Sequence, residues 1–481
     1  MDVDKTNSAV RSAAGIPVGH LPPLLPQDMP EPISLRKMAG PGIVLIAVGL
    51  GSGEYISHPY ITSQVGLTFI WAAAISILIQ YFINTEIARY TLATGETIIT
   101  GFARLWKYWA PLFIVMTVVP FAWPGWMTSA ATMVTFAAGG GDVKVISIVG
   151  LIIIGFVLTL SPVVYQTVEK LEFFKVLVIL AFIVFAIAFV VGWRPWAALP
   201  AATVDGFGRL PAGVPTTVLI TAMVFAGGGG AVNLAVSHWI RDKGWGMAAH
   251  APRVVSPITG SEEAGIGTGY EFQLTEQNLS RWRAWWRNAR IEQFLTFGVI
   301  GVLSIVIFSL IAYRVLPMGT YDGAADLSFI RLEGQLLGEQ FGAVVKTVFW
   351  LIGAVALMFA NLVVVDLVGR ITADVLAVNY LRGSTSWTEG RLYAVVVWLE
   401  IALGILILGL GITQPIALLA TAAILNAVVM VVYCALLVQL NRRLDARLKI
   451  STARIGVMAV AMLFYGGFAA YTINNQIGLL F

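Results

Sequence analysis

Glu54 stands in the middle of an apolar run, GPGIVLIAVGLGSGEYISHPYITSQVG, directly after Gly51, Ser52 and Gly53. A carboxylate at that depth of a hydrophobic segment is costly to bury, so it is a candidate for carrying a proton, a coupling cation or a substrate amine. His58 follows at i+4, close enough on a helix to share a face with Glu54 and to influence its proton affinity. A second run, TTVLITAMVFAGGGGAVNLAVSHWI, carries Ala226 and then four consecutive glycines, Gly227, Gly228, Gly229 and Gly230, with Asn233 just beyond. Each glycine costs a helix about 1 kcal/mol relative to alanine. Both stretches are therefore expected to unwind, freeing N–H groups for an anion and C=O groups for a cation. Asn361 and Asp366 continue the polar set, with Arg370 four residues after Asp366, as either a structural ion pair or a proton route. Thr421 and Asn426 add hydroxyl and amide groups that suit substrate binding or interhelical hydrogen bonds.

The elements that must position these residues are membrane helices. The chain has 481 residues, is 58% hydrophobic and only 12% charged, and has a mean hydropathy of +0.83. Apolar runs long enough to cross about 30 Å of hydrocarbon recur along nearly the whole length. They predict about eleven helices, near 39–62, 64–90, 109–138, 144–162, 171–193, 214–240, 290–316, 342–376, 391–410, 414–440 and 453–478. Residues 1–38 read as a flexible tail without a signal peptide. With the N-terminus cytoplasmic, twenty-four of the 30 basic residues fall on the cytoplasmic side, which orients the chain N-terminus in and C-terminus out of a cell inner membrane. Lys170 and Lys175 are counted among the loop charges on that side. Within the 241–289 connection, RWRAWWRNAR reads as an interfacial helix with its aromatic rings at headgroup depth, and 317–341 reads as a solvated loop. The net charge of +4 does not point to nucleic acid, and the single cysteine, Cys434, excludes a disulfide. No nucleotide-binding, metal-binding or nucleophile pattern marks an enzyme, and no cofactor is expected.

The two glycine-rich runs open successive groups of five spans, 39–193 and 214–440, with 453–478 as an added eleventh helix. Interrupted segments at matched places in two halves are the sequence mark of an inverted-repeat transporter with a site at mid-membrane. Small residues also serve close helix packing, which is the competing reading.

GPGIVLIAVG at 40–49, YQTVEKLEFFKVLVI at 165–179 and the Asn233-Leu234 pair after the second break resemble the Nramp family. That family lies within the amino-acid/polyamine/cation group, which shares the LeuT-like fold. The resemblance implies broken helices 1 and 6 in a five-plus-five arrangement. It departs at the metal site: Gly51-Ser52-Gly53-Glu54 stands where the family has DPGN, and Gly230-Ala231-Val232 where it has MPH. The metal-binding aspartate and the soft methionine sulfur are both missing, so manganese or iron is not the expected cargo. The leading expectation is a secondary transporter of a small organic solute by alternating access, with protons or cations as the candidate coupling ions. A carrier of hydrated magnesium using Glu54 is a second reading. A non-transporting receptor or scaffold is a third.

Overall fold

The computed structural model describes residue 15 and residues 19–251, 268–316, 318–319, 321 and 325–478, and all but a two-residue strand pair of its regular structure is helical. A short turn, α1 (Leu35–Met38), leads into α2 (Pro41–Ser52), which starts with proline where the missing N–H costs nothing. The first glycine-rich run does not unwind, contrary to its sequence. Gly53–Ser57 forms a π turn that passes straight into α3 (His58–Val65). Pro59 supplies a reason, since its ring and missing N–H are incompatible with the carbonyl four residues back. Widening the helix relieves that clash, and π turns of this kind gather at functional sites. The Ser57 hydroxyl donates to Ser52 O at 3.1 Å, five residues back, and so satisfies a carbonyl within the widened turn.

A 3₁₀ turn, Gly66–Phe69, with Gly66 at φ 68°, connects α3 to α4 (Ile70–Thr94). The chain reverses there. His58 and Glu54 meet Ala222 and Gly227 of the sixth segment, whereas Ser76 and Gln80 meet Met223 and Ala226, so residue number runs in opposite senses along the two helices.

The Thr97 hydroxyl caps α5 (Ile98–Leu105). The third span is two pieces, α6 (Trp109–Phe121) and α7 (Gly125–Ala138), separated at Pro124. Asp142 caps α8 (Val143–Leu160), and α9 (Val164–Phe185) continues through a π turn, Ala186–Val191, to the partly exposed α10 (Trp193–Gly206). The sixth segment is broken as expected, into α11 (Thr216–Val224) and α12 (Ala231–Lys243). Next, α13 (Glu276–Glu292) runs through a π turn, Gln293–Val299, into α14 (Ile300–Val315). The chain ends with α15 (Ser328–Phe341), α16 (Ala343–Asn379), α17 (Glu389–Gly409), α18 (Pro415–Asn441) and α19 (Thr452–Gly478). Among the described residues nine helices are long and apolar enough to cross a membrane. One of these is the run Pro41–Thr94, which reverses at Gly66, and the broken sixth segment is too short in each half to count. The architecture is thus consistent with the eleven segments read from the sequence.

Three peripheral expectations are corrected. The part of the 1–38 tail that is described, residue 15 and 19–38, includes a packed segment: Leu21, Met29 and Met38 are buried, and β1 (Leu25–Pro26) pairs in parallel with β2 (Tyr270–Glu271). The tryptophan- and arginine-rich stretch does not lie in the headgroup plane as a separate helix. It is the extension of the seventh span, and it packs on that N-terminal segment: Trp285 Nε1 donates to Pro30 O at 2.9 Å and Arg281 to Met29 O at 2.9 Å. Protein surface, rather than lipid, covers Trp282 and Trp285. The 317–341 stretch is largely the helix α15, held where Trp350 Nε1 donates to Ile330 O at 3.1 Å, and Glu333 is buried. Asp322 of that stretch lies outside the described residues.

Candidate substrate site

The break in the sixth segment is a turn that only glycine accommodates. Gly227, Gly228 and Gly230 take φ of 80°, 82° and 89°, the left-handed region that side chains avoid. The freed backbone groups find partners on neighbouring spans. Gln80 Nε2 donates to Ala226 O at 2.7 Å, and the Ser76 hydroxyl donates to Met223 O. Asn426 Oδ1 accepts from Ala231 N at 2.9 Å, so the first N–H of α12 is capped by protein. A Cβ on Gly230 would sit 2.2 Å from that same Asn426 oxygen. Gly230→Ala therefore combines backbone strain of about 1–3 kcal/mol with loss of the cap, about 1–3 kcal/mol more. Thermal unfolding of purified protein should show a clear fall in Tm, and an unchanged Tm would contradict this geometry.

The two glycine-rich runs meet in direct contact, not across a gap. A Cβ on Gly49 would fall 2.6 Å from Gly227 Cα, and one on Gly53 would fall 2.3 Å from Phe225 O. Lacking side chains, these residues let two backbones touch, as close helix packing requires. At the contact Glu54 Oε1 accepts from Gly227 N at 3.1 Å. Glu54 is fully buried, and its Oε2 has no hydrogen-bond partner among the described residues. Ser52 Oγ, two residues earlier, is also buried without a hydrogen-bond partner among the described residues. A buried carboxylate with one oxygen fixed and one free is poised to take a proton or a cationic group.

The other expected site residues divide. His58 is buried, with Nε2 3.1 Å from Ala222 O, and stands on the flank of the break without a hydrogen bond to Glu54. Ala226 and Gly229 are at the break, engaged by Gln80 and packed against Val224 O. Gly51 faces away from it: a Cβ there would meet Ala360, Ala356 O and Leu357 of α16. Asn233 is committed elsewhere, donating to Asn84 Oδ1 at 2.7 Å and accepting from the Tyr433 hydroxyl at 2.9 Å. Asn361 is buried, and its Nδ2 has no hydrogen-bond partner among the described residues. Thr421 bonds within its own helix to Ala417 O at 2.9 Å, and the tenth-span residue that reaches the break is Asn426.

Asp366 belongs to a separate cluster at the end of the molecule that carries the N-terminal segment, here called the N-side. Arg370 donates to Asp366 at 2.7 Å and also pairs with Asp242, while the Tyr393 hydroxyl donates to the second Asp366 oxygen at 2.8 Å. Arg241 pairs with Asp374 at 2.8 Å and with Glu389, and the Thr97 hydroxyl donates to Asp374 at 2.6 Å. These contacts bolt α12 to α16 and α17. The start of α2 is tied down in parallel: Gly42 N donates to Glu292 at 3.0 Å, and Lys243 donates to Ala39 O at 2.8 Å. These contacts tie α2, α12, α16 and α17 together at that end.

Sequence reasoning missed Lys175. It is fully buried, paired with Glu172 at 2.6 Å, and donates to Ala47 O at 2.6 Å. It is therefore not a loop charge but a cation between α9 and α2, two turns before Glu54. The signal was its setting, FFKVLVIL, a lysine flanked by apolar residues three positions after Glu172. Gln80 and Asn84, at i and i+4 inside the apolar ILIQYFIN, carried a similar signal.

These features define an all-α multi-pass membrane protein in which one interrupted helix packs against a π-distorted one, with a buried carboxylate at the contact. The solved structures that resemble it have the LeuT-like transporter fold. The manganese transporter of Eremococcus coleocola, in complex with an aromatic bis-isothiourea substituted compound, matches with a TM-score of 0.68 at 11% identity, covering 98% of this chain and 92% of that one. MHP1, a nucleobase-cation-symport-1 family transporter in a closed conformation, matches with a TM-score of 0.53 at 12% identity over 97% of both chains. No family model and no curated protein matches the sequence.

Proposed function

We propose that the chain is a secondary active transporter that moves a small organic solute by alternating access, with Glu54 as the group that binds a proton, a coupling cation or the solute's own amine. The observation that carries this reading is the free Oε2 of Glu54 at the contact between a π turn and a broken helix. Unwound backbone in a membrane is tolerated where it lines a site or is buried in protein, and the glycine break has Glu54 as its immediate neighbour. The two solved relatives named above are transporters of a metal ion and of the nucleobase-cation class, which supports transport more than it supports a cargo. Glu54 supplies one carboxylate, whereas a dehydrated transition metal needs several donors, which favours an organic solute over manganese. We take 39–193 and 214–440 as the two repeats and the N-side as the cytoplasmic face of the inner membrane, following the distribution of basic residues.

Uptake into proteoliposomes tests the reading, with amino acids, other small organic solutes, magnesium and manganese compared side by side. Saturable uptake of an organic solute is the expected result. Uptake of magnesium alone would replace it with the hydrated-cation reading, and no saturable flux of any solute would leave a receptor or scaffold.

A further inference from the structure

A groove of about 670 Å³ lies between α4, α10 and the π turn that opens α14. Leu78, Tyr81, Trp196, Phe294, Gly298 and Val306 are among its lining residues. Leu78 and Phe294 are 56% and 54% exposed, so the groove opens on the face that meets lipid. From Phe294 to Val306 it extends roughly 18 Å at 1.5 Å per helical residue, a length suited to one acyl chain lying along the span.

Its N-side end is charged. The Phe294 ring packs on Tyr81, with centroids 6.1 Å apart, and Tyr81 packs on Phe82 at 5.3 Å. Arg454 sits 5.0 Å over Phe82. Arg89, Arg454 and Arg290 all stack on Trp286, at 4.1, 5.2 and 5.4 Å. Glu86 pairs with two of the three, Arg89 at 2.8 Å and Arg454 at 2.6 Å. Arg290, one turn before Phe294, has no ion pair among the described residues. Three guanidinium groups against one carboxylate leave a net positive patch where the groove ends.

We propose that this groove and patch hold one anionic phospholipid of the N-side leaflet, with an acyl chain between Leu78 and Phe294 and its phosphate at Arg290. A neutral chain-shaped occupant would fill the groove but leave Arg290 without a counter-charge, whereas a phosphate accepts charge-assisted hydrogen bonds from it. The site also touches the transport machinery. Ile77 lines the groove, and a Cβ on Gly227 would lie 3.7 Å from it. An occupant therefore braces the wall against which the break rests.

Native mass spectrometry of the purified full chain tests this, using phosphatidylglycerol and phosphatidylethanolamine with identical acyl chains. The wild-type protein should retain one phosphatidylglycerol with about tenfold preference. Arg290→Gln should reduce phosphatidylglycerol retention to the phosphatidylethanolamine level. Gly298→Phe should displace both lipids, because a Cβ at Gly298 has only Phe294 and Gln293 within 4 Å and a side chain there can enter the groove. Ala74→Trp, at another groove-lining position, provides a second obstruction if the first variant folds poorly. Phosphatidylglycerol should also raise the Tm of the wild type but not that of Arg290→Gln. Equal retention of the two lipids by the wild type would overturn the proposal. Unchanged phosphatidylglycerol retention by either obstructed variant, with elution and helical content intact, would overturn it as well.

Discussion

Glu54→Gln should lower saturable uptake at least tenfold in proteoliposomes while leaving thermal stability close to that of the parent. Glutamine keeps the size of the side chain and an acceptor for the Gly227 N–H, so the contact at 3.1 Å survives. What it loses is the negative charge and the capacity to gain a proton at the free oxygen. If Glu54 only holds the two spans together, the amide serves as well and uptake is unaffected. If it carries the proton, the cation or the amine, uptake collapses while folding persists. A tenfold loss corresponds to about 1.4 kcal/mol, a modest requirement for removing a charge from a water-poor site. Unchanged uptake would remove Glu54 from the mechanism.

Arg370→Met is the second large effect, and it acts on stability. Arg370 is fully buried between Asp366 and Asp242, so removing the guanidinium takes the closest ion-pair partner from both buried carboxylates, leaving Asp366 with the Tyr393 hydroxyl and Asp242 with Arg241 at 4.0 Å. Breaking a buried ion pair from one side costs about 3–5 kcal/mol, and the Tm in detergent should fall accordingly. Combining Arg370→Met with Asp366→Asn and Asp242→Asn removes the carboxylate charges that lost their closest cation and should recover most of the loss. That triple variant also separates the two roles considered for Asp366. A structural network leaves transport in the recovered protein, whereas a proton route through Asp366 leaves it folded and inactive. The geometry favours the structural role, because both Asp366 oxygens are taken by Arg370 and Tyr393.

Legibility in the sequence followed the strength of the local signal. The apolar segments were plain because hydrocarbon thickness imposes a minimum length on every span. The break at Gly227–Gly230 was equally plain, since four glycines leave a helix nothing to pack with. The first run misled because Gly49, Gly51 and Gly53 alternate with larger residues and serve contacts that no local pattern reveals. Gly49 meets Gly227, Gly51 meets α16 and Gly53 meets Phe225. Backbone-to-backbone packing of two segments about 175 residues apart is a tertiary fact, and it preserved the helix with a π turn. Lys175 was hidden by a counting habit that assigns every basic residue near a span end to a loop. Asn233 has partners that its place after the break did not reveal: its side chain is held between Asn84 and Tyr433.

Accessibility of the contact between the two runs tests the central claim most directly. Ser52→Cys, placed in a Cys434→Ala background, can be probed from each side of oriented vesicles with a membrane-impermeant thiol reagent. The account predicts reaction from both sides in the absence of solute, and strong protection when a transported solute is bound. A cysteine that never reacts, or that reacts from one side only whatever solute is present, would contradict alternating access at Glu54.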